Sequence, residues 1–383
     1  MLWNKPNGHL FVPIFMLAKR YIYLCLIIAL CFSCKKDVDE TCGGAQTTPY
    51  VFPELPDWKE IPQDPGNPVT NEGVYLGRKL FYDPILSKDF TISCSSCHQP
   101  EHAFSDPAEF STGVNGAKGS RNAMALINLA WGKKFFWDAR SATLKEQALV
   151  PVPHEKEMNL AWDKAEERLN NDEKYKDLFC QTFGTSNISK ELVAKALAQF
   201  EMTLISYNSP YDRFVKGALT PDASFFRGLS IFTTETGDCF HCHALAAIES
   251  FADPIRVLTN NGIDEVLDVN SFTDLGLGGI SGIDADKGKF KIPTLRNLAF
   301  TAPYMHDGRF KTLDEVIDSY NLGPKQSPTV DNIMIVKANY RLENFGHWGL
   351  NLSEEQKQDL KNFLLSFSDT SFINNPAFQK PVE

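Results

Sequence analysis

The sequence predicts an all-α protein with long loops, organised in two halves. Three observations carry that expectation. Apolar residues recur at helical spacing in the best-patterned segments, and no run alternates apolar with polar residues as a half-buried strand would. The pattern C-x-x-C-H occurs twice, with Cys94 and Cys239 145 positions apart, which gives each copy the length of a small domain. At 383 residues, 43% of them hydrophobic, the chain can bury a substantial core in each half.

Taken in order, the N-terminus reads as a targeting segment. Lys19 and Arg20 precede twelve mostly apolar residues, Tyr21 to Phe32, and then comes Ser33-Cys34-Lys35-Lys36-Asp37. Twelve residues are too few to cross a bilayer, which needs about 20, but they match the apolar centre of a secretory signal. A small residue followed by cysteine resembles a bacterial lipoprotein cleavage site, so residues 1–33 are expected to be removed and Cys34 to carry the lipid. Cys31 stands where that pattern usually has leucine, and an uncleaved membrane anchor is the alternative. Met16 is a second candidate start, since Leu17-Ala18-Lys19-Arg20 makes an ordinary charged beginning. Residues 34–53 read as a polar, lipid-anchored tether, with Gly43-Gly44 and Thr47-Thr48-Pro49.

Beyond the tether, Leu192, Ala196, Phe200 and Leu204 form a helical stripe with Val193 and Leu197 beside it, and Ser189 as its cap. Residues 253–290 hold six glycines and several aspartates with little periodicity, which reads as a long functional loop. Ser353 and Gln356 form a capping box ahead of an apolar face made by Leu360, Phe363, Leu364 and Phe367. The expected boundaries are a signal at 1–33, a tether at 34–53, domains at 54–215 and 216–370, and a tail at 371–383. Cys180 reads as a buried apolar thiol, and nothing in the sequence pairs it with Cys42 of the tether. Against 48 acidic residues stand 38 basic ones, 35 once the first 33 residues are removed. That balance argues against a nucleic-acid partner, which would need a basic face. It suits plain solvation or the attraction of a basic protein partner.

The two cysteine motifs carry the chemistry. In Cys94-Ser95-Ser96-Cys97-His98 and Cys239-Phe240-His241-Cys242-His243, two thiols three positions apart can join the two vinyl groups of one porphyrin, and the adjoining histidine can ligate its iron. Zinc bound by the four cysteines would leave the following histidine unexplained at both places. A disulfide pair is the other rival reading. Two covalent haem c groups are therefore expected, with His98 and His243 as iron ligands and His241 as a spacer.

Around these motifs the chain resembles a known family. Leu76-Gly77-Arg78-Lys79-Leu80-Phe81-Tyr82-Asp83-Pro84 leads into the first motif. It is followed by Gly119-Ser120-Arg121-Asn122, Phe136-Trp137-Asp138-Ala139-Arg140, Gln147 and Glu157-Met158-Asn159. After the second motif come Pro293-Thr294-Leu295-Arg296-Asn297 and Thr301-Ala302-Pro303-Tyr304-Met305-His306-Asp307-Gly308. As a set, spanning about residues 70 to 367, these resemble the bacterial di-haem cytochrome c peroxidase and MauG superfamily. The resemblance implies two cytochrome c-like domains, peroxide chemistry at the N-terminal haem and electron entry at the C-terminal one. It makes Trp137 the tryptophan between the haems, and Gln147 and Glu157 the distal pair. Asn122, with the backbone carbonyls of Thr301 and Pro303, corresponds to a calcium site. These roles are chemically sensible. A desolvated glutamate beside haem can move a proton between the peroxide oxygens, Gln147 can hold peroxide without changing charge, and calcium prefers oxygen donors.

Two departures bear on subtype. The standard peroxidases have a Gly-His-Gly turn that supplies a second histidine to the N-terminal haem; here the stretch reads Gly113-Val114-Asn115-Gly116. His102 lies too close to His98 in sequence to reach the opposite face. Standard enzymes also carry a methionine fourteen residues after the conserved histidine, where this chain has Tyr320 after His306. MauG has a tyrosine ligand there, and an anionic oxygen donor lowers the potential of its iron. Met334 is the alternative ligand. The leading expectation is an exported di-haem peroxidase, periplasmic or on the outer membrane, that reduces hydrogen peroxide with electrons from a small c-type cytochrome or another redox protein. The second is a MauG-like enzyme that uses high-valent haem iron to oxidise a protein or organic molecule. A pure di-haem electron carrier is the third. A homodimer is left open.

Overall fold

Thr70 starts the first helix of the folded region: its hydroxyl accepts the Gly73 N–H at 3.1 Å, which caps α1 (Asn71–Tyr82). The computed structural model describes Met1 and residues 42–55, 58–243 and 257–382, so the expected signal and Cys34 lie outside the described residues. After α1 come α2 (Leu144–Ala148), α3 (Trp162–Asn170), α4 (Glu173–Phe183) and α5 (Lys190–Met202). Leu76, Leu80 and Phe81 of α1 meet Val193, Leu197 and Phe200 of α5 in one core. Gly77 permits the approach, because a Cβ there would strike the Ala196 carbonyl. The stripe read from the sequence is therefore the α1-facing side of α5. Ser189 does stand at its cap position, but its hydroxyl engages the Glu191 carboxylate instead of a helix amide.

The second half holds α6 (Pro210–Val215), α7 (Ala223–Thr233), α8 (Gly278–Ser281), α9 (Leu313–Leu322), α10 (Asn332–Phe345), α11 (Glu354–Leu365) and α12 (Thr370–Ile373). The Ser353–Gln356 capping box forms as read, and α11 packs on α7. Phe225, Phe232, Leu360, Phe363, Leu364 and Phe367 make this second core, each such side chain contributing about 1.5–3 kcal/mol of burial. At its edge, fully buried Arg296 holds buried Asp212 through two hydrogen bonds of 2.9 and 2.7 Å.

The long loop is closed at its base by a two-residue antiparallel pair, β1 (Leu258–Thr259) with β2 (Phe290–Lys291). Midway, Asp274 accepts both Nε and Nη2 of Arg121 at 2.7 Å, while Nη1 of Arg121 reaches Asp138 at 2.6 Å. The loop is thereby pinned to the first half.

Three expectations about isolated segments need correction. Cys42 and Cys180 form a disulfide, with Cα atoms 5.2 Å apart. The pairing arises because residues 46–50 are laid on the folded domain: Gln46 N–H donates to the Gln181 carbonyl at 2.8 Å, and Thr48 N–H to Glu72 at 2.8 Å. The end of the expected tether, including Tyr50 and Phe52, is thus packed onto the first half. The expected tail also folds back. Phe372 and Phe378 are buried against Phe104, and the Tyr82 hydroxyl donates to the Phe378 carbonyl at 2.7 Å. Among the described residues, no helix is long and apolar enough to cross a membrane.

Candidate active site

Both cysteine motifs fold into the same short turn. A single 3₁₀ turn covers Cys94–Ser96, and another covers Cys239–His241. The following histidine amide then folds back onto the first cysteine carbonyl, at 3.0 Å for His98 and 2.9 Å for His243. None of the four motif cysteines is in a disulfide. His98 Nδ1 lies 2.9 Å from the Phe104 carbonyl. A carbonyl can only accept, so Nδ1 carries the proton and Nε2 is left with its lone pair. Burial drives the His98 imidazole toward its neutral form and takes His243 down to about 4, so both rings can act as metal ligands. His241 faces Asp238 and Glu235 at 3.2 and 3.6 Å, and Lys337 and Arg341 sit on the same two carboxylates. His102 sits in a 3₁₀ turn with Nδ1 3.3 Å from the Phe300 carbonyl.

Glu157 is close enough to the first motif for its charge to register at both Cys94 and Cys97. The side chain is 41% exposed, with His154 Nδ1 at 3.4 Å. Burial of the remainder raises its pKa above the ordinary carboxylate value, against the opposing pull of His154 and Arg140. The turn that lacks the expected histidine is what holds this segment. Val114 is buried, and its N–H donates to the Glu157 carbonyl at 2.9 Å. Gly113 fits only without a side chain, because a Cβ would strike the Lys156 carbonyl. Gln147 lies on α2, partly buried, with its backbone N–H donating to the Thr143 carbonyl at 3.0 Å.

The second motif opens into a crevice lined by Cys239, Cys242, His243, His306, Tyr320 and Met334. Tyr320 projects from α9, and its phenol oxygen accepts the Asn261 amide at 3.1 Å. Burial pushes this phenol up to about 12, and Tyr320 lines the crevice together with Cys239 and Cys242. Trp137, from the first half, lines the same crevice and is held from two directions. Its indole N–H donates to the Asn122 carbonyl at 2.9 Å, and its carbonyl accepts the Lys291 N–H at 2.7 Å. Its ring meets the edge of His306, which stacks on Phe290 with centroids 3.7 Å apart. Asn122, Thr301 and Pro303 also line this crevice. The Asn122 amide nitrogen donates to the carbonyls of Ala108 and Glu109, which turns its oxygen the other way.

Known proteins resemble the chain in both sequence and fold. A family model described as di-haem cytochrome c peroxidase matches residues 71–220. The methylamine utilization protein MauG of Methylorubrum extorquens is 33% identical over 314 residues, covering 80% of this chain and 81% of its own length. The chain belongs to the di-haem cytochrome c peroxidase and MauG family. Cytochrome-c peroxidase IdrP1 of a Pseudomonas species is 30% identical over 359 residues, covering 87% of this chain and 91% of the relative. A solved MauG-like protein associated with microbial copper homeostasis superposes with a TM-score of 0.73 at 31% identity, covering 87% of this chain and 99% of that one.

Membership makes the chain an oxidoreductase of peroxidase or MauG-like activity, and implies two haem c groups. The residues present fit those groups. The two motifs offer four thiols outside any disulfide and two neutral imidazoles. The crevice also holds Lys291, lowered to about 8 by burial alone and facing no carboxylate among the described residues, as a partner for an anionic substituent of the porphyrin. Lys291 escaped the sequence reading, and so did Glu201, a buried carboxylic acid on α5. The only available signal for Glu201 was an acid inside an otherwise apolar helical stripe.

Proposed function

We propose that the chain is a peroxidase that reduces hydrogen peroxide to water at the N-terminal haem, with electrons delivered through the C-terminal haem. The overall change is H₂O₂ + 2 e⁻ + 2 H⁺ → 2 H₂O. Haem iron bound through His98 would supply the two-electron chemistry, and the chain's own residues would manage protons and position. The observation that carries this reading is Glu157, whose charge registers at both cysteines of the first motif and whose backbone is held by the Val114 turn, the place where standard relatives carry a histidine. Its carboxylate takes the proton from one peroxide oxygen and returns it to the other, while Gln147 holds the peroxide. Trp137 is the route between the halves, fixed by the Asn122 carbonyl and by the Lys291 amide. Asn122, with the carbonyls of Thr301 and Pro303, is a neutral oxygen set suited to calcium. Cys34 carries a lipid that keeps the exported enzyme on a membrane surface.

A second reading is favoured by one observation. Tyr320, which lines one crevice with Cys239 and Cys242, supports a MauG-like enzyme that oxidises a protein or organic substrate. A phenolate ligand would lower the potential of the C-terminal haem and make it a poorer receiver of electrons from a c-type cytochrome. Steady-state peroxide consumption by the two-haem protein, with and without a reduced small c-type cytochrome, separates the readings. Turnover that depends on the cytochrome is the expected result. Peroxide consumption that ignores the cytochrome and tracks oxidation of an organic donor would replace the first reading with the second.

A further inference from the structure

Glu201 is an acid where the fold has no use for one. It sits on α5, which is buried from Val193 to Met202 except for Lys195, and the residue itself is only 5% exposed. Its Oε2 has no hydrogen-bond partner. A buried carboxyl without a partner is costly, and a fold under selection for stability alone would replace it with an apolar residue. Its position explains its presence. Of the charged groups that act on the Cys94 sulfur, Glu201 acts most strongly, ahead of Glu157. Cys94 also packs against the core that Val193, Leu197 and Phe200 of the same helix line, so the carboxyl belongs to the side of the domain where Cys94 would hold haem.

Few other groups bear on it. The elements packed on α5 are α1, α2, α3 and the turn Leu129–Trp131. They carry Glu72, Tyr75, Arg78, Lys79 and Tyr82 on α1, Lys145 and Glu146 on α2, and Asp163, Lys164, Glu166, Glu167 and Arg168 on α3. None of these registers on Glu201, and neither do Lys190, Glu191 or Lys195 of its own helix; burial alone raises it, to about 8. A group held so near neutral pH answers to whatever charge changes beside it. A ferric haem is more positive than a ferrous one, so the carboxyl is the stronger acid beside the first and the weaker acid beside the second.

We propose that Glu201 is the redox-linked proton carrier of the N-terminal haem. When that haem gains an electron, the carboxylate binds one proton; when the haem gives the electron up, the carboxyl releases it. Each electron thus arrives with one of the protons that peroxide reduction consumes. The inference rests on haem being held by Cys94, Cys97 and His98.

The test is the midpoint potential of the N-terminal haem in the two-haem protein, measured by optical redox titration between pH 5.5 and 9. In the wild type the potential should fall as pH rises, approaching a tenfold change in the redox equilibrium per pH unit, or 59 mV for one electron. In Glu201→Gln that slope should vanish over the same window. It should survive in Glu157→Gln. A flat wild-type profile overturns the proposal, and so does a slope that persists in Glu201→Gln, which would move the proton to the haem carboxylates. Should Glu201→Gln fail to take up haem, infrared difference spectra of the wild type decide. Reduction of the N-terminal haem must produce a new band from a protonated carboxyl, and its absence rejects the assignment. The readout is a potential rather than peroxide turnover, so this inference can fail while the peroxidase reading stands.

Discussion

Replacing Glu157 with glutamine keeps its size and polarity and removes only its ability to accept a proton. A general acid–base group in a transition state is typically worth about 10²–10⁴-fold in rate, or about 2.7–5.4 kcal/mol at 1.36 kcal/mol per tenfold. The geometry selects within that range. The side chain is 41% exposed and has His154 at 3.4 Å, so water or the imidazole can take over part of the proton transfer, and the loss should lie near the lower end, about 10²-fold. The pH profile carries a second expectation. Burial raises the pKa of this carboxyl, and the base form is the one that accepts the peroxide proton, so the wild-type rate should climb with pH through a midpoint above the ordinary glutamate value. That climb should be missing in Glu157→Gln. The assay is stopped-flow mixing of the fully oxidised two-haem protein with peroxide, with the observed rate plotted against peroxide concentration at several pH values. A second-order rate constant within threefold of the wild type, with the same pH profile, would refute the role argued for Glu157.

Three further expectations follow from the same geometry. Tyr320→Phe should change the low-spin spectrum of one haem, because Tyr320 lines the crevice of Cys239 and Cys242; an unchanged spectrum, together with a change in Met334→Leu, would transfer the ligand role to Met334. With Val114 and Asn115 at the turn where relatives place a histidine, the N-terminal iron should rest high-spin and react with peroxide at once, before any reductant is added; two low-spin haems that stay silent until one-electron reduction would contradict this. Arg296→Met strands buried Asp212 and should cost about 3–5 kcal/mol, lowering the melting temperature by roughly 6–20 °C. Burial raises the Asp212 carboxyl, but Arg296 and Ser209 outweigh it and leave the pKa depressed. That stability should accordingly be present above the ordinary carboxylate range and fade as pH falls through the depressed value.

The features legible in the sequence were those written within a few residues. The Ser353–Gln356 box and the Leu360–Phe367 face needed only the helical period, and both form. The paired motifs needed only the spacing of cysteine and histidine, and their two turns have the same backbone bonds. What escaped depends on distant partners. Cys42 and Cys180 are 138 positions apart, and two lone cysteines carry no local sign of their pairing. Phe372 and Phe378 belong to a short terminal segment whose burial depends on Phe104. Glu201 reads as a surface acid until both sides of α5 are known to be covered. The capping hydroxyl of Ser189 was misjudged for a related reason: a neighbouring carboxylate competes with the helix amides for it.

If Cys34 carries the proposed lipid, the Cys42–Cys180 bond would also limit how far the enzyme can roam. With the lipid taken to sit on Cys34, only eight peptide steps separate the bilayer from a covalent anchor on α4. Fully stretched, that leash spans at most about 26–29 Å. A leash running freely to residue 53 would be more than twice as long. The protein would patrol a layer about one small-domain diameter deep, with the end of α4 turned toward the lipid. A redox partner would have to meet it inside that layer, sliding along the membrane or reaching in from the side. Cutting that disulfide would leave only weak contacts such as those of Gln46 and Thr48 to keep the leash short.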